Sequence, residues 1–425
     1  MKKVLAIVLA LTLTLSIVSS AMAETKLSVI WWGNQVRNER TQAALDLYAE
    51  QNPGVSVEGQ FAEWSDYWNK LATASSSQSL PDVVQMDYKY LEQYVSNNLL
   101  VDLKPYIDSG DLDVSKVDAG LLSAGSVGEG VYAIAIGMNA PAMLYNKTLT
   151  DSLNITVKDN MTLDEFIAVS KEIYEKSGYC TNVSYGNGEN FIDYYMRGVG
   201  IELYQGKKFG AASYEDFVPY FAFYEKGISE GWMVKPEVFA ERTLGSVEQD
   251  PLVLGSNPDE RSWCTMTYSN LMPATLAAAA AEGIEIGIST WPSPDPVKSN
   301  YLKPSQFFSV SVNSKDPLEA VKLINFWTNS LDCNKVLLAE RGVPTSSETA
   351  AALAPFLDAT QQTIIKYLNE VVTPNCSRIS PAAPSTSTQI LTLLDQLQEQ
   401  VCYGQITAEQ AAQQLFDQGN AILAN

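Results

Sequence analysis

The stretch Trp31-Trp32-Gly33-Asn34-Gln35 places two indoles, a glycine and two side-chain amides on five consecutive positions. The electron-rich face of an indole attracts apolar C–H groups, and planar amides both donate to and accept from hydroxyls. A molecule that offers C–H faces inside a rim of hydroxyls is a carbohydrate. Trp64, and then Asp87 with Tyr88, repeat the pairing of aromatic and polar groups further along. Asp87 could accept from two hydroxyls or cap a turn at a strand end. Tryptophans at a strand end equally serve as core, so Trp31 and Trp32 carry both readings.

Such residues need elements to hold them at one edge. Leu27 to Ile30 reads as a short buried strand, apolar and β-branched, and a helix begins near Arg37. Ala44, Leu47 and Tyr48 share a face of that helix, which Asn52-Pro53-Gly54 ends. Val55, Val57 and Phe61 alternate as a second strand, and Glu63-Trp64-Ser65-Asp66 opens a second helix. Pro81 to Asp87 is a third strand, followed by a helix from Tyr90 to Asn97. Strand and helix at this spacing make a parallel wound α/β layer, whose ligands sit outside the carboxyl ends of the strands. Trp31 and Trp32, Trp64, and Asp87 with Tyr88 all fall at such ends.

The middle of the chain reads differently. Gly130 to Asn139 is a strand-like run, and after Pro141 a second run passes through Met143 to Lys147, as if one segment leaves the first layer for another. Thr162-Leu163-Asp164-Glu165 is a helix-capping sequence. Phe191 to Trp232 is rich in tyrosine and reads as mostly helical. Strands are expected at Arg261 to Tyr268, Ile284 to Ser289 and Phe307 to Val312, with a helix from Ala274 to Ala281. Trp291-Pro292-Ser293-Pro294-Asp295-Pro296 is a linker, because its prolines forbid helix and interior strand. Helices are expected from Pro317 to Thr328, Ala350 to Val371, Thr388 to Val401 and Ala408 to Leu423, with a break at Arg341-Gly342-Val343-Pro344.

Composition removes several chemistries. The chain has no histidine, which excludes histidine-based triads, histidine metal sites and zinc-protease motifs. Its formal charge is −21, repelling nucleic acid and anionic membrane. The 5 cysteines are scattered and odd in number, so buried free thiols are expected, with Cys376 and Cys402 as the one candidate pair. Met1-Lys2-Lys3, the apolar run Val4 to Val18 and the Ala21-Met22-Ala23 site read as a signal peptide over 1–23, with the mature chain starting at Glu24. No cysteine precedes Cys180, so a lipid-anchor site is missing. A periplasmic or extracellular, cell-surface protein is expected. No glycine-rich phosphate loop or calcium loop is complete.

The opening strand with Trp31-Trp32, Leu80-Pro81-Asp82-Val83-Val84 and Asn98-Leu99-Leu100-Val101-Asp102-Leu103 together carry a resemblance. So do Gly130-Val131-Tyr132-Ala133, Leu144-Tyr145-Asn146-Lys147, Thr162 to Phe166, Asp316 to Lys322, Arg341-Gly342-Val343-Pro344 and Thr407 to Ala411. In order and spacing the chain resembles the bacterial extracellular solute-binding proteins of family 1, which serve sugar-importing ABC transporters. The missing lipid-anchor cysteine is the departure.

The resemblance implies a two-lobed α/β fold of the type II periplasmic binding-protein kind, each lobe a wound sheet, with a ligand cleft at the hinge. It places 24–136 plus 305–342 in the first lobe and 141–290 plus 348–425 in the second. Hinge crossings then fall at 137–140, 291–304 and 343–347, where glycine and proline already mark breaks. Candidate ligand contacts are Trp31, Trp32, Asn34, Gln35, Trp64, Asp87 and Tyr88 from the first lobe. From the second they are Asn139, Tyr195, Trp232, Trp263, Tyr268, Asn270 and Arg378. Tyr268-Ser269-Asn270 earns its place at a strand end, whereas Tyr195 and Trp232 rest on aromaticity alone. Arg378, before a helix, could serve an acidic sugar or a surface ion pair. The implied function is to bind a carbohydrate, close on it and present it to membrane permease subunits, as a monomer without cofactor or catalysis. The alternatives are ferric-ion binding through Tyr194-Tyr195, peptide or polyamine binding, and an exported carbohydrate-active enzyme with two facing carboxyl groups.

Overall fold

A computed structural model describes residues 25–33, 35–62, 64–185, 188–244, 246–381, 383–384 and 386–424. The signal-peptide reading of 1–23, the start at Glu24, Glu63 and the candidate Asn34 lie outside the described residues. Strand β1 (Thr25–Trp32) continues two residues past Ile30. Strand side chains alternate between faces. Leu27, Val29 and Trp31 therefore enter one core with Ala44, Leu45 and Tyr48 of α1 (Gln35–Gln51). Ile30 and Trp32 enter another with Tyr67 and Leu71 of α2 (Trp64–Ser76).

β2 (Val55–Ala62) runs parallel to β1 from Thr25↔Val55 to Trp32↔Ala62, and β3 (Val83–Met86) runs parallel on the other side. α3 (Tyr88–Ser96) follows, capped by Asp87. After the short hairpin β4 (Ser126–Val127) and β5 (Gly130–Val131), β6 (Ile134–Asn139) completes the sheet. Ala140 follows, and then β7 (Pro141–Asn146) enters a second sheet between β8 (Cys264–Tyr268) and β9 (Ile286–Ser289), antiparallel to both. β10 (Lys303–Val310) returns to the first sheet, antiparallel to β3 and β6, in the order β2-β1-β3-β10-β6.

Both sheets are covered on two faces, as buried mixed sheets require. In the second, Met143 joins a core with Phe166 of α4 (Leu163–Ser177), Tyr194 of α5 (Gly188–Gly198) and Tyr220 of α6 (Val218–Ser229). Ala142 and Leu144 face Leu252, Met272 and Ile364 instead. α7 (Pro317–Asn329) packs its Leu323, Ile324 and Trp327 on the first sheet. α8 (Ser387–Cys402) and α9 (Ala408–Leu423) pack on the second. The capping box at Thr162 and Glu165 is formed, and a second one joins Thr407 to Gln410. The helix expected from Ala350 to Val371 is instead broken. A 3-10 turn at Ala354–Phe356 contains Pro355, and Tyr367–Val372 winds as π-helix. All five cysteines are free, so Cys376 and Cys402 do not pair.

The three connections between the sheets lie side by side. Lys303 pairs with Asn139, and Met138 exchanges main-chain hydrogen bonds with Val343 at 2.8 and 3.1 Å. The approach is close enough that a Cβ at Gly137 would overlap the Arg341 carbonyl, and Gly342 takes φ +102°, which favours glycine. Arg341 is 2% exposed. Its guanidinium donates to Gln85 Oε1, to Gln306 Oε1 at 2.9 Å and to Thr41 Oγ1 at 2.7 Å. Its planar fork also lies 5.6 Å from the Trp327 ring centroid. Burial lowers the guanidinium's pKa, yet an arginine surrounded by acceptors stays charged at neutral pH. The side chain ties the third connection to the first sheet.

Candidate functional site

The strand directions place one edge of the first sheet toward the second. β2, β1, β3 and β6 all end there, and antiparallel β10 begins there. The β3–β10 ladder stops at Met86↔Phe307, whereas the β6–β10 ladder continues to Asn139↔Lys303. Those four further residues carry Asn139 and Lys303 about 13 Å past the end of β3.

Trp32, the last residue of β1, is 9% exposed and packs edge-on against Trp64, with ring centroids 4.9 Å apart and planes at 83°. Trp64 is the first residue of α2 and remains 44% exposed. Trp68 meets it at 5.4 Å and Tyr90 of α3 lies 4.0 Å from Trp68. T-shaped packing of this kind uses the ring edges and leaves the Trp64 indole presenting surface to solvent. Trp68 and Tyr90 were not among the expected contacts. Their signals were the i,i+4 spacing from Trp64 and the position two residues after Tyr88.

Facing groups come from the second sheet and its connections. Tyr268, the last residue of β8, shares a 3.1 Å hydroxyl hydrogen bond with Tyr301 and lies 5.9 Å from Trp291. The Lys303 ammonium stands 4.3 Å from the Tyr268 ring centroid. Arg197 of α5 donates to Ser299 O, Ser380 Oγ, Ser377 Oγ and Arg378 O, at 3.0, 2.9, 2.7 and 2.7 Å. It thereby holds the 377–380 loop, where the Ser380 carbonyl accepts from the Tyr88 hydroxyl at 3.2 Å. Ser380 Oγ also donates to the Asp193 carboxylate at 3.1 Å. Burial raises the Asp193 pKa and pushes the Tyr301 phenol well above its usual range. Desolvation by the surrounding protein lowers Lys303, with Asp87 pulling the other way. Lys303 is nevertheless exposed.

Residues 33–330 match the family model of bacterial extracellular solute-binding proteins. The chain belongs to that family. Its fold is similar to an extracellular solute-binding protein family 1 from Alicyclobacillus acidocaldarius, at TM-score 0.84 and 22% identity over 94% of this chain and 99% of that one. A periplasmic oligogalacturonide binding protein from Yersinia enterocolitica matches at TM-score 0.77 and 22% identity, over 94% and 99%. The sugar-binding protein MalE from Xanthomonas citri matches at 0.75 and 18%, over 94% and 98%. The fold is thus the two-lobed, type II α/β kind, and this solute-binding protein has a five-stranded and a three-stranded sheet besides the β4–β5 hairpin. Among the described residues no helix is long and apolar enough to cross a membrane, and no cluster of three or more acids and cysteines could hold a metal ion.

Four expected contacts of this solute-binding protein are core residues instead. Trp31 is 0% exposed and its indole N–H donates to Asn38 Oδ1 at 2.9 Å, because strand parity turns it to the face opposite Trp32. Trp263 is equally buried and donates to Thr181 Oγ1 at 2.9 Å. Trp232 donates to Glu230 Oε2 at 2.8 Å from within the same lobe. Tyr195 packs edge-on against Tyr220. The neighbouring Tyr194 hydroxyl donates to the Trp291 carbonyl at 3.0 Å, and both tyrosines are packed in the core of the second sheet. Gln35 is exposed and its amide donates to Glu39 on its own helix at 2.7 Å. Asp87 accepts from the Lys89 N–H at 2.9 Å, the capping role weighed above, and among the described residues its other oxygen accepts no hydrogen bond. Tyr88, Asn139 and Tyr268 are half-buried at the edge between the sheets, and Asn270 and Arg378 are exposed.

Proposed function

We propose that this chain is the exported solute-binding component of an ABC importer, and that its solute is a carbohydrate. The observation that carries this reading is the half-exposed Trp64, fixed edge-on against Trp32 where the strands of the first sheet end. A flat apolar surface that is ordered in advance is what a sugar's C–H face needs, at little entropic cost on binding. Tyr268, Asn139 and the free oxygen of Asp87 are suited to the hydroxyls. The oligogalacturonide and sugar binding described for the neighbouring structures supports the same class.

On this reading the lobes are 24–136 plus 305–342 and 141–290 plus 348–425, and 1–23 is a cleaved leader. The protein acts as a monomer, and its partners are the sugar and the permease subunits. Contacts made from both lobes favour the closed form by the difference in binding free energy between the two states. No covalent step is involved. A thermal-shift screen of the purified protein against mono- and oligosaccharides tests the reading. A ligand that binds only the folded state raises the melting temperature with concentration. If no carbohydrate does so while an amino acid, peptide or polyamine does, the solute class is wrong.

A further inference from the structure

We infer that the solute carries a carboxylate, and that Lys303 is the residue that selects it; this rests on the carbohydrate reading above. Three observations converge on Lys303. It stands at the start of β10 opposite Asn139, on the connection that joins the two sheets. Its ammonium reaches the second lobe at Tyr268 while feeling the charge of Asp87 from the first. Among the described residues no carboxylate forms an ion pair with it.

A cation so placed is costly in this protein unless the solute completes it. The chain carries 49 acidic against 28 basic residues, yet Asp87, whose charge reaches Lys303 from the first lobe, caps α3 with one oxygen and makes no ion pair with the ammonium among the described residues. The partner that Lys303 does have is an aromatic face, which attracts a cation without neutralising it. Closing the lobes over a neutral sugar would strip more water from the ammonium and leave it with no anion in direct contact, Asp87 acting only from a distance. Closing over a uronic acid would give it a charge-assisted hydrogen bond in a partly desolvated site, where such bonds are strong. The aromatic wall around Trp64 binds the ring faces of either sugar, so discrimination falls to Lys303. Arg378, exposed two residues from the Ser380 that Tyr88 touches, offers a second cation for a longer acidic chain.

The test is calorimetric titration of the full mature protein with galacturonate, glucuronate and mannuronate oligosaccharides, each beside its carboxyl-reduced neutral counterpart. Wild type should bind at least one acidic form about tenfold or more tighter than its neutral twin. Lys303→Gln should abolish that preference while keeping affinity for the neutral form, and Lys303→Arg should retain part of it. The preference should also shrink as salt is raised, since the pair is only partly shielded. Thermal melts of both variants establish that they are folded. Equal or tighter binding of the neutral forms overturns the inference and leaves the carbohydrate reading standing, as does a preference that survives in Lys303→Gln. Binding of neither form overturns the inference, and the carbohydrate reading falls with it only if the wider saccharide screen is also silent.

Discussion

The Tyr88 hydroxyl, just beyond the end of β3, donates to the main-chain carbonyl of Ser380 at 3.2 Å. Ser380 belongs to a loop that Arg197 and Asp193 hold to α5, so this neutral hydrogen bond links the first sheet's edge to the second half of the molecule. A bond of this kind contributes about 0.5–1.5 kcal/mol. Tyr88→Phe should shift the open–closed equilibrium by that amount. The expected outcome is a roughly two- to tenfold loss of solute affinity, with an increased radius of gyration by X-ray scattering of the ligand-free protein. Unchanged scattering and affinity would show that the contact does not bias closure.

Trp64 and Trp263 should separate binding from folding. Trp64→Ala removes a half-exposed ring, so the melting temperature should move little while solute affinity falls about tenfold. Trp263→Phe should lower stability by about 2–4 kcal/mol through lost packing and an orphaned Thr181 hydroxyl. Its folded fraction should bind with wild-type affinity. Urea unfolding and calorimetry on the two variants check this, and the reverse pattern would relocate the site.

How far the sequence revealed the site is clearest in these same tryptophans. Alternating strands and helices, the capping box at Thr162 and the breaks at Gly137 and Gly342 were legible, because each follows from local backbone preference. Strand parity says that Trp31 and Trp32 face opposite ways, but not which way is out, since both faces of β1 are covered. Trp263 owes its burial to Phe166 of α4, distant in sequence, and Trp232 folds back on Phe223 of the preceding α6. Lys303 was missed because β10 was expected to begin at Phe307, after the proline linker. Asparagine and aspartate at strand ends stood out by type, yet only the ladder register shows that Asn139 reaches past β3.

Arg341 supplies a test of how the third connection is held. Lysine keeps the charge but not the fork that reaches Gln85, Gln306 and Thr41 together. Arg341→Lys should therefore lower stability by about 2–4 kcal/mol in urea unfolding at neutral pH. A loss below about 0.5 kcal/mol would mean that water or a neighbouring group replaces those bonds without cost.

Asp250 sets a pH dependence. It accepts from the Leu252 N–H and the Thr265 hydroxyl, both at 2.8 Å, but burial outweighs these bonds and pushes its carboxyl up to about 6. Between about pH 4 and 6 the folded protein retains a proton that the unfolded chain has released. The stabilising contribution is therefore full below about pH 4 and lost as pH rises through 6. Measured against Asp250→Asn, wild-type stability should fall across that window. A flat or rising difference would contradict the assignment.

The most direct measurement is calorimetric titration of wild-type protein with neutral and acidic oligosaccharides, with the ligand recovered and chromatographed afterwards. Saturable binding of one saccharide per chain, returned at its original length, is the predicted result. Shortened sugars, or a folded protein that releases no heat with any saccharide, would contradict a cleft that clamps its solute unchanged.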